Sequence, residues 1–249
     1  MTETLVTAAV LVIGDEILSG RTKDRNLGYI AEYLTRIGIQ VREARVVPDI
    51  EDEIVGAVNA LRSRYDYLFT TGGIGPTHDD ITADAVAKAF GVAIGEDPRA
   101  LAVMMERYTV DDLTPARRRM SRIPAGAELV DNPISKAPGF RIGNVIVMAG
   151  VPSVMQAMLD HAIQSVRGGA VMLVETIEAG GLPEGRYGEA LREIAEERAA
   201  VSIGSYPSFS GGQFRNQIVV RSRDAEALVE AKAAVEAMIA RLKGDAKPL

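Results

Sequence analysis

The 249 residues are 47% hydrophobic and 25% charged, with a formal charge of −6 and no cysteine. That length and apolar content suffice for one large domain or two ordinary ones, and exclude a disordered or fibrous chain. The acidic balance gives no global basic field for nucleic acid or an anionic membrane, and the missing thiols exclude disulfides, thiolate zinc sites and a cysteine nucleophile.

Val6 to Ile13 is a continuous apolar run that lacks a basic flank and leads straight into Gly14-Asp15-Glu16. Such a run fits a strand covered on both faces better than a signal peptide. Leu27, Ile30, Leu34 and Ile37 then recur at helical spacing, with Gly38 as the stop. A second strand is expected over Ile39 to Val47, followed by a helix capped by Asp49 that carries Ile54, Val58 and Leu61 on one face. The third strand, Tyr65 to Thr71, ends in Gly72-Gly73, and the third helix spans Asp80 to Phe90 before Gly91. Asp97-Pro98 and Thr114-Pro115 each pair a capping residue with proline at the first helical position, which predicts two further short helices. Val145 to Ala149 reads as another buried strand, and Pro152 opens a helix to about Val166.

Repeated strand-helix units with short links imply a parallel sheet with helices on both faces, whose ligands bind beyond the carboxyl ends of the strands. Gly168-Gly169 reads as a linker, giving domains at 1–168 and 169–249. Beyond it the order changes to a strand at Ala170 to Ile177, a helix at Gly185 to Arg198, strands at Val201 to Pro207 and Phe214 to Arg221, and a terminal helix at Asp224 to Leu242. That is a small α+β (β-α-β-β-α) domain. Its 10 Lys and Arg stand against 12 Asp and Glu, and Gly211-Gly212 lies between strands, so a nucleic-acid role is not expected. No apolar run approaches the ~18 residues of a membrane helix, and the expected location is the cytoplasm.

Two loops fall where a parallel sheet binds ligands. Gly72, Gly73 and Gly75 let backbone approach a ligand, and the helix start that follows can hold phosphate oxygens. The Gly14 to Gly20 loop brings Asp15 and Glu16, with Asp24 and Asn26 just after it. Convergence of these carboxylates with Asp79 and Asp80 would make a hard-oxygen set suited to Mg²⁺ or another divalent ion. Taken singly, Asp24 or Asn26 reads as a cap for the next helix and Asp80 as a cap for its own. His78 reads as a solvated loop residue or a phosphate contact, His161 as structural, and Arg117, Arg118, Arg119 and Arg122 as a solvated helix face.

Gly14-Asp15-Glu16 with Asp24 and Asn26, then Thr71-Gly72-Gly73-Ile74-Gly75-Pro76-Thr77 with Asp79, Asp80 and Thr82, resemble the signature of the MoaB/Mog molybdopterin-binding family. Asn132-Pro133, Ala137-Pro138-Gly139-Phe140, Gly150-Val151-Pro152-Ser153 and Gly204-Ser205-Tyr206-Pro207 resemble its CinA-type branch, in matching order. The resemblance implies a three-layer α/β/α domain with a mostly parallel sheet. It also implies homo-oligomers and a small ligand joining a heterocycle to phosphate, either molybdopterin or a nucleotide of the ADP-ribose or FAD type.

On this reading Asp15, Asp79 and Asp80 are the candidate catalytic residues, and Asp15, Glu16 and Asp80 the candidate ligands of Mg²⁺, Mn²⁺ or Co²⁺. Gly14, Glu16, Asn26, Thr71, Gly72, Gly73, Gly75, Pro76, Thr77, Asn132, Lys136, Gly139, Gly150, Pro152 and Ser153 are the candidate ligand-binding residues. The implied activity is nucleotide pyrophosphatase; the alternative is a non-catalytic molybdopterin-binding or carrier module. CinA-type proteins commonly continue into a deamidase domain, for which this sequence shows no counterpart, so deamidation is not carried over. Where the family commonly has Gly-Thr this chain has Ser135-Lys136, and Lys136 would add a point charge for phosphate.

Overall fold

In a computed structural model, residues 5–210 and 213–244 are described. The chain divides into two compact units, Met1–Gly169 and Ala170–Leu249. The first is built on strand β1 (Val6–Ile13), which enters a single helical turn, α1 (Asp15–Leu18), and then α2 (Asn26–Arg36). β2 (Ile39–Val47), α3 (Glu51–Arg62), β3 (Tyr67–Thr71) and α4 (Thr82–Phe90) follow. A hairpin-like excursion comprises β4 (Ile94–Glu96), α5 (Pro98–Met105), α6 (Pro115–Arg119) and β5 (Arg122–Pro124). β6 (Glu128–Val130), β7 (Gly139–Ile142), β8 (Val145–Met148) and α7 (Pro152–Ala162) complete the unit.

Its six-stranded sheet has the order β2-β1-β3-β8-β7-β6. β1 lies parallel to both β2 and β3, and β3 is parallel to β8, whereas β7 and β6 are antiparallel additions at one edge. The period-2 pleat explains why β1 is apolar throughout: Ala9, Leu11 and Ile13 enter one core with Ile54, Val58 and Leu61 of α3 and Ala85, Val86 and Ala89 of α4. Ala8, Val10 and Val12 enter the other with Ile30 and Leu34 of α2 and Met155, Met158 and Leu159 of α7. Side chains such as Leu11 and Ile30 are fully buried, each worth about 1.5–3 kcal/mol. The result is a three-layer α/β/α domain. Because β1 is flanked by β2 on one side and β3 on the other, the strand order reverses there, and a crevice opens at the carboxyl edge.

Several local expectations need correction. α3 starts at Glu51 after Ile50, and Asp49 makes no cap because its carboxylate accepts the Asp15 N–H at 3.0 Å. α4 starts at Thr82 rather than Asp80, whose carboxylate is turned back on Thr77. β4 to β7 are three or four residues long, too short to leave a period in the sequence. Gly168-Gly169 does stand where the two units divide, with Gly169 N–H donating to Ile37 O and a Cβ on Gly168 falling 2.5 Å from the same oxygen. The two proline-initiated helices occur as expected, with Asp97 and Thr114 accepting from the amides of Arg99 and Arg117.

The second unit is a small α+β fold: β9 (Leu173–Gly180), α8 (Gly188–Glu196), β10 (Val201–Tyr206), the short pair β11 (Phe209–Ser210) and β12 (Gln213–Phe214), β13 (Asn216–Ser222) and α9 (Ala225–Gly244). β13 is central and antiparallel to both β10 and β9. Its Ile218 and Val220 pack with Leu191 of α8 and Leu228, Val235 and Met238 of α9. β9 begins at Leu173, three residues later than the apolar pattern suggests, and its first buried side chain is Ile177. Gly211-Gly212 lies outside the described residues. Among the described residues no helix is long and apolar enough to cross a membrane.

Candidate functional site

Three loops leave the carboxyl edge of the large sheet beside one another. After β1, Gly14 N–H donates to Val47 O, and the Gly14 carbonyl receives the amides of Ile17 and Leu18, which closes the turn of α1. Asp24 then takes the first amides of α2, accepting from Asn26 N at 3.2 Å and Leu27 N at 3.1 Å, and so acts as the expected capping residue. That leaves the Asn26 side chain free for tertiary work. Its Nδ2 donates to Thr71 Oγ1 at 2.8 Å and to Gly150 O at 2.7 Å, while Thr71 Oγ1 donates to Ala149 O at 2.8 Å. Asn26 and Thr71, both buried, thus clamp the ends of β3 and β8 to the start of α2.

The second loop follows β3, and its glycines do different jobs. Gly72, at φ 108°, lies so close to β1 that a Cβ would fall 2.1 Å from Ile13 O. Gly73, at φ 67°, would put a Cβ 2.2 Å from Thr82 Oγ1, which donates to Gly72 O at 2.9 Å. Both are demanded by the fold. At Gly75 a Cβ would instead meet the Asp80 carboxylate, 2.6 Å from Oδ2. That carboxylate accepts from Thr77 N at 2.8 Å and from the Thr77 hydroxyl. Pro76, Thr77, His78 and Asp79 are exposed on the outside of the loop.

The third loop runs from Gly150 into α7, where Pro152 occupies the first turn. Between these loops and Asn132 to Ala137 lies a cavity of about 480 Å³. Glu16, Thr22, Asp80, Asn132 and Ser135 provide its polar groups, and Gly72, Gly73, Gly75 and Gly150 its backbone edges. Ile74, Met120, Ala137, Ala149, Val151, Pro152 and Val154 form an apolar wall. Such a volume and mixture suit one heterocyclic ligand with a polar tail.

Of the candidates read from the sequence, Glu16, Gly72, Gly73, Gly75, Asp80, Asn132, Gly150 and Pro152 meet at this cavity. Gly14, Asn26 and Thr71 stand one layer behind, shaping it. The rest are spent elsewhere. Lys136, the one non-glycine residue at positive φ (63°) among those described, pairs with Glu106 at 2.7 Å. Gly139 belongs to buried β7, where a Cβ would fall 2.2 Å from Val147 O. Asn132 lines the cavity while its amide ties up its own loop, donating to Ser135 Oγ and Ala137 O and accepting from the amides of Ile134 and Ser135. Ser153 and Asp79 are exposed outside the cavity lining, and the exposed Asp15 binds Asp49 through its backbone.

The acidic residues do not close into a cage: among those described, no three His, Asp or Glu are gathered so as to hold a metal ion. They are nonetheless crowded. Burial raises the Asp49 pKa above the usual carboxylate value against the opposing effect of the Asp15 N–H, and the charges of Asp15, Glu16 and Asp79 add to the rise. Asp49 also stands beside the glycine loop, since a Cβ on Gly73 would lie 3.5 Å from Asp49 Oδ1. Read from the sequence as a cap, Asp49 instead stands behind the glycine loop, outside the cavity lining; its position just past the end of β2, on the same sheet edge, was the available signal. Ile74 and Ser135, which stand in motifs legible in the sequence, also line the cavity, as do Thr22 and Met120, which carry no signal of residue type.

With this arrangement, residues 9–167 match a family model described as "Probable molybdopterin binding domain". The chain belongs to this molybdopterin-binding domain family. Residues 174–243 match a second model, described as "FAD synthase, middle domain". The crystal structure titled as the protein CinA with unknown function, from Thermoplasma acidophilum, superposes with a TM-score of 0.60 at 39% identity, covering 64% of this chain and 96% of that one. A protein of Pyrobaculum arsenaticum is 35% identical over 80% of this chain and 79% of its own length. The CinA-like protein of Desulfosudis oleivorans is 37% identical over 74% of this chain and 48% of its own. As a family member with CinA-like relatives, the chain carries the MoaB/Mog-type α/β domain expected from its glycine loops.

Proposed function

We propose that the molybdopterin-binding domain takes a nucleotide diphosphate of the ADP-ribose or FAD type and hydrolyses its pyrophosphate bond. The observation that carries this reading is the cavity itself, in which a glycine backbone from Gly72 to Gly75 and the Gly150 loop face an apolar wall of heterocycle size. Phosphate oxygens would take the backbone edges from Gly72 to Gly75, and the heterocycle the wall formed by Val151, Pro152 and Val154. The FAD synthase description matched by residues 174–243 supports an adenine dinucleotide over a pterin.

A divalent ion would be held by Asp80 and Glu16, with the ligand's own phosphate oxygens completing its shell, the usual arrangement for Mg²⁺. The crowding around Asp49 provides the hard-oxygen chemistry for such an ion, whose contribution would be to neutralise charge on the phosphates. Asp80, which stands against Gly75 in the cavity lining, would orient the attacking water and take its proton. Water adds to one phosphorus as the bridging P–O bond breaks, and the two products are phosphate monoesters. Incubation with ADP-ribose or FAD and Mg²⁺, Mn²⁺ or Co²⁺, followed by chromatography, should reveal AMP, and Asp80→Asn should abolish its release.

The second reading is a non-catalytic molybdopterin-binding or carrier module, favoured by the open spacing of the carboxylates. It predicts tight binding of a pterin phosphate and no AMP under any metal.

A further inference from the structure

Among the described residues, the cavity proposed to hold a diphosphate has two carboxylates in its lining, Glu16 and Asp80, and no lysine or arginine. A ligand with two negative charges needs an opposite charge nearby, or it is repelled. Just past Gly75, Asp80 and Met120, which it shares with the main cavity, lies a smaller hollow of about 20 Å³. That is room for one group of the size of water or a phosphate oxygen. Arg119 and Arg122 line it.

The arginines of this run have different employment. Arg117 is paired with Asp112 and stacked on Tyr108, and Arg118 with Glu96. Arg122 holds Asp84 through two bonds of 2.8 and 2.6 Å. Arg119 has no carboxylate partner among the described residues; its single contact is Nη2 to the Asp80 carbonyl at 3.4 Å. Its Nε is fully buried and meets no acceptor. Its charge is therefore left without a carboxylate beside a hollow that can take one anionic oxygen.

We propose that Arg119 is the anion-recognition residue of the cavity, neutralising one phosphate of the bound ligand from behind the Gly75 to Asp80 loop. This rests on the phosphate-ligand reading above. It also accounts for a charge balance that a single divalent ion leaves incomplete beside Glu16, Asp49 and Asp80. The solvated-face reading of the arginine run does not hold for Arg119, nor for Arg122, which lies on β5 and pairs with Asp84.

Calorimetric titration with ADP-ribose, adenosine and inorganic pyrophosphate, at two salt concentrations, tests the proposal. Arg119→Gln should weaken ADP-ribose and pyrophosphate at least tenfold and leave adenosine unchanged, with a shallower salt dependence. Arg119→Lys should restore part of the loss and guard against a folding defect, and Arg117→Gln, which removes the same charge at a paired position, should bind like wild type. Equal ADP-ribose and pyrophosphate affinities in wild type and Arg119→Gln would overturn the role of Arg119 while leaving the phosphate-ligand reading intact. A wild-type protein that binds neither phosphate compound would overturn that reading, and the proposal with it.

Discussion

At the residue scale, Asp49 and the glycines decide what the loops can do. A carboxyl whose folded pKa is raised contributes stability below its ordinary pKa and loses that contribution as the pH rises through the raised value. For Asp49 burial is the first cause, followed by the charges of Asp15, Glu16 and Asp79. Asp49→Asn keeps an oxygen for the Asp15 N–H and removes the repulsion. It should raise Tm by about 1–3 °C at pH 7, and the gain should fade as the pH is lowered through the raised Asp49 pKa; thermal melts across pH check this, and a destabilised variant at pH 7 would count against it. For the glycines, Gly73→Ala should cost about 2–4 kcal/mol, because positive φ and contact with Thr82 act together. Gly75→Ala should cost about 1 kcal/mol, and it should weaken ligand binding by displacing Asp80. Chemical denaturation separates these two glycine roles, and equal losses would merge them.

At the element scale, the clamp from Asn26 to Thr71 and Gly150 joins α2 to the ends of β3 and β8. Asn26→Ala leaves the buried Thr71 hydroxyl and Gly150 carbonyl short of a donor, and should cost about 1–3 kcal/mol. Hydrogen exchange should show the loss as faster opening of both loops. Elements with a strong pattern were legible in the sequence: β1 falls at the expected residues because its apolar run serves two cores at once, and β2, whose interior carries Gln40, Arg42, Glu43 and Arg45, is bounded as expected by the buried Ile39 and Val47. The short antiparallel edge was not, since β6 and β7 are three and four residues long and have no period to read. In the site, the glycine loops were legible by composition. The destinations of Lys136 and Gly139 were not, because an ion pair with Glu106 and a close approach to Val147 are tertiary facts.

At the scale of the whole molecule, the chain passes from one compact unit to the other between Gly169 and Ala170. Gly168-Gly169 is tied to Ile37, and the irregular stretch that follows, 170–172, offers the accessible backbone. Limited proteolysis should therefore cut at 170–172 and leave an N-terminal fragment that melts cooperatively and keeps its ligand affinity. A fragment that unfolds on cleavage would show that the first unit depends on the second. The same fragment should retain hydrolysis, since every residue assigned to the chemistry lies in it. Phosphorus NMR of ADP-ribose mixed with the intact protein and Mg²⁺ tests the central claim most directly. The expected result is broadening of the pyrophosphate resonances on binding, followed by their replacement with two phosphomonoester signals; pyrophosphate resonances that keep their position, width and intensity would contradict it.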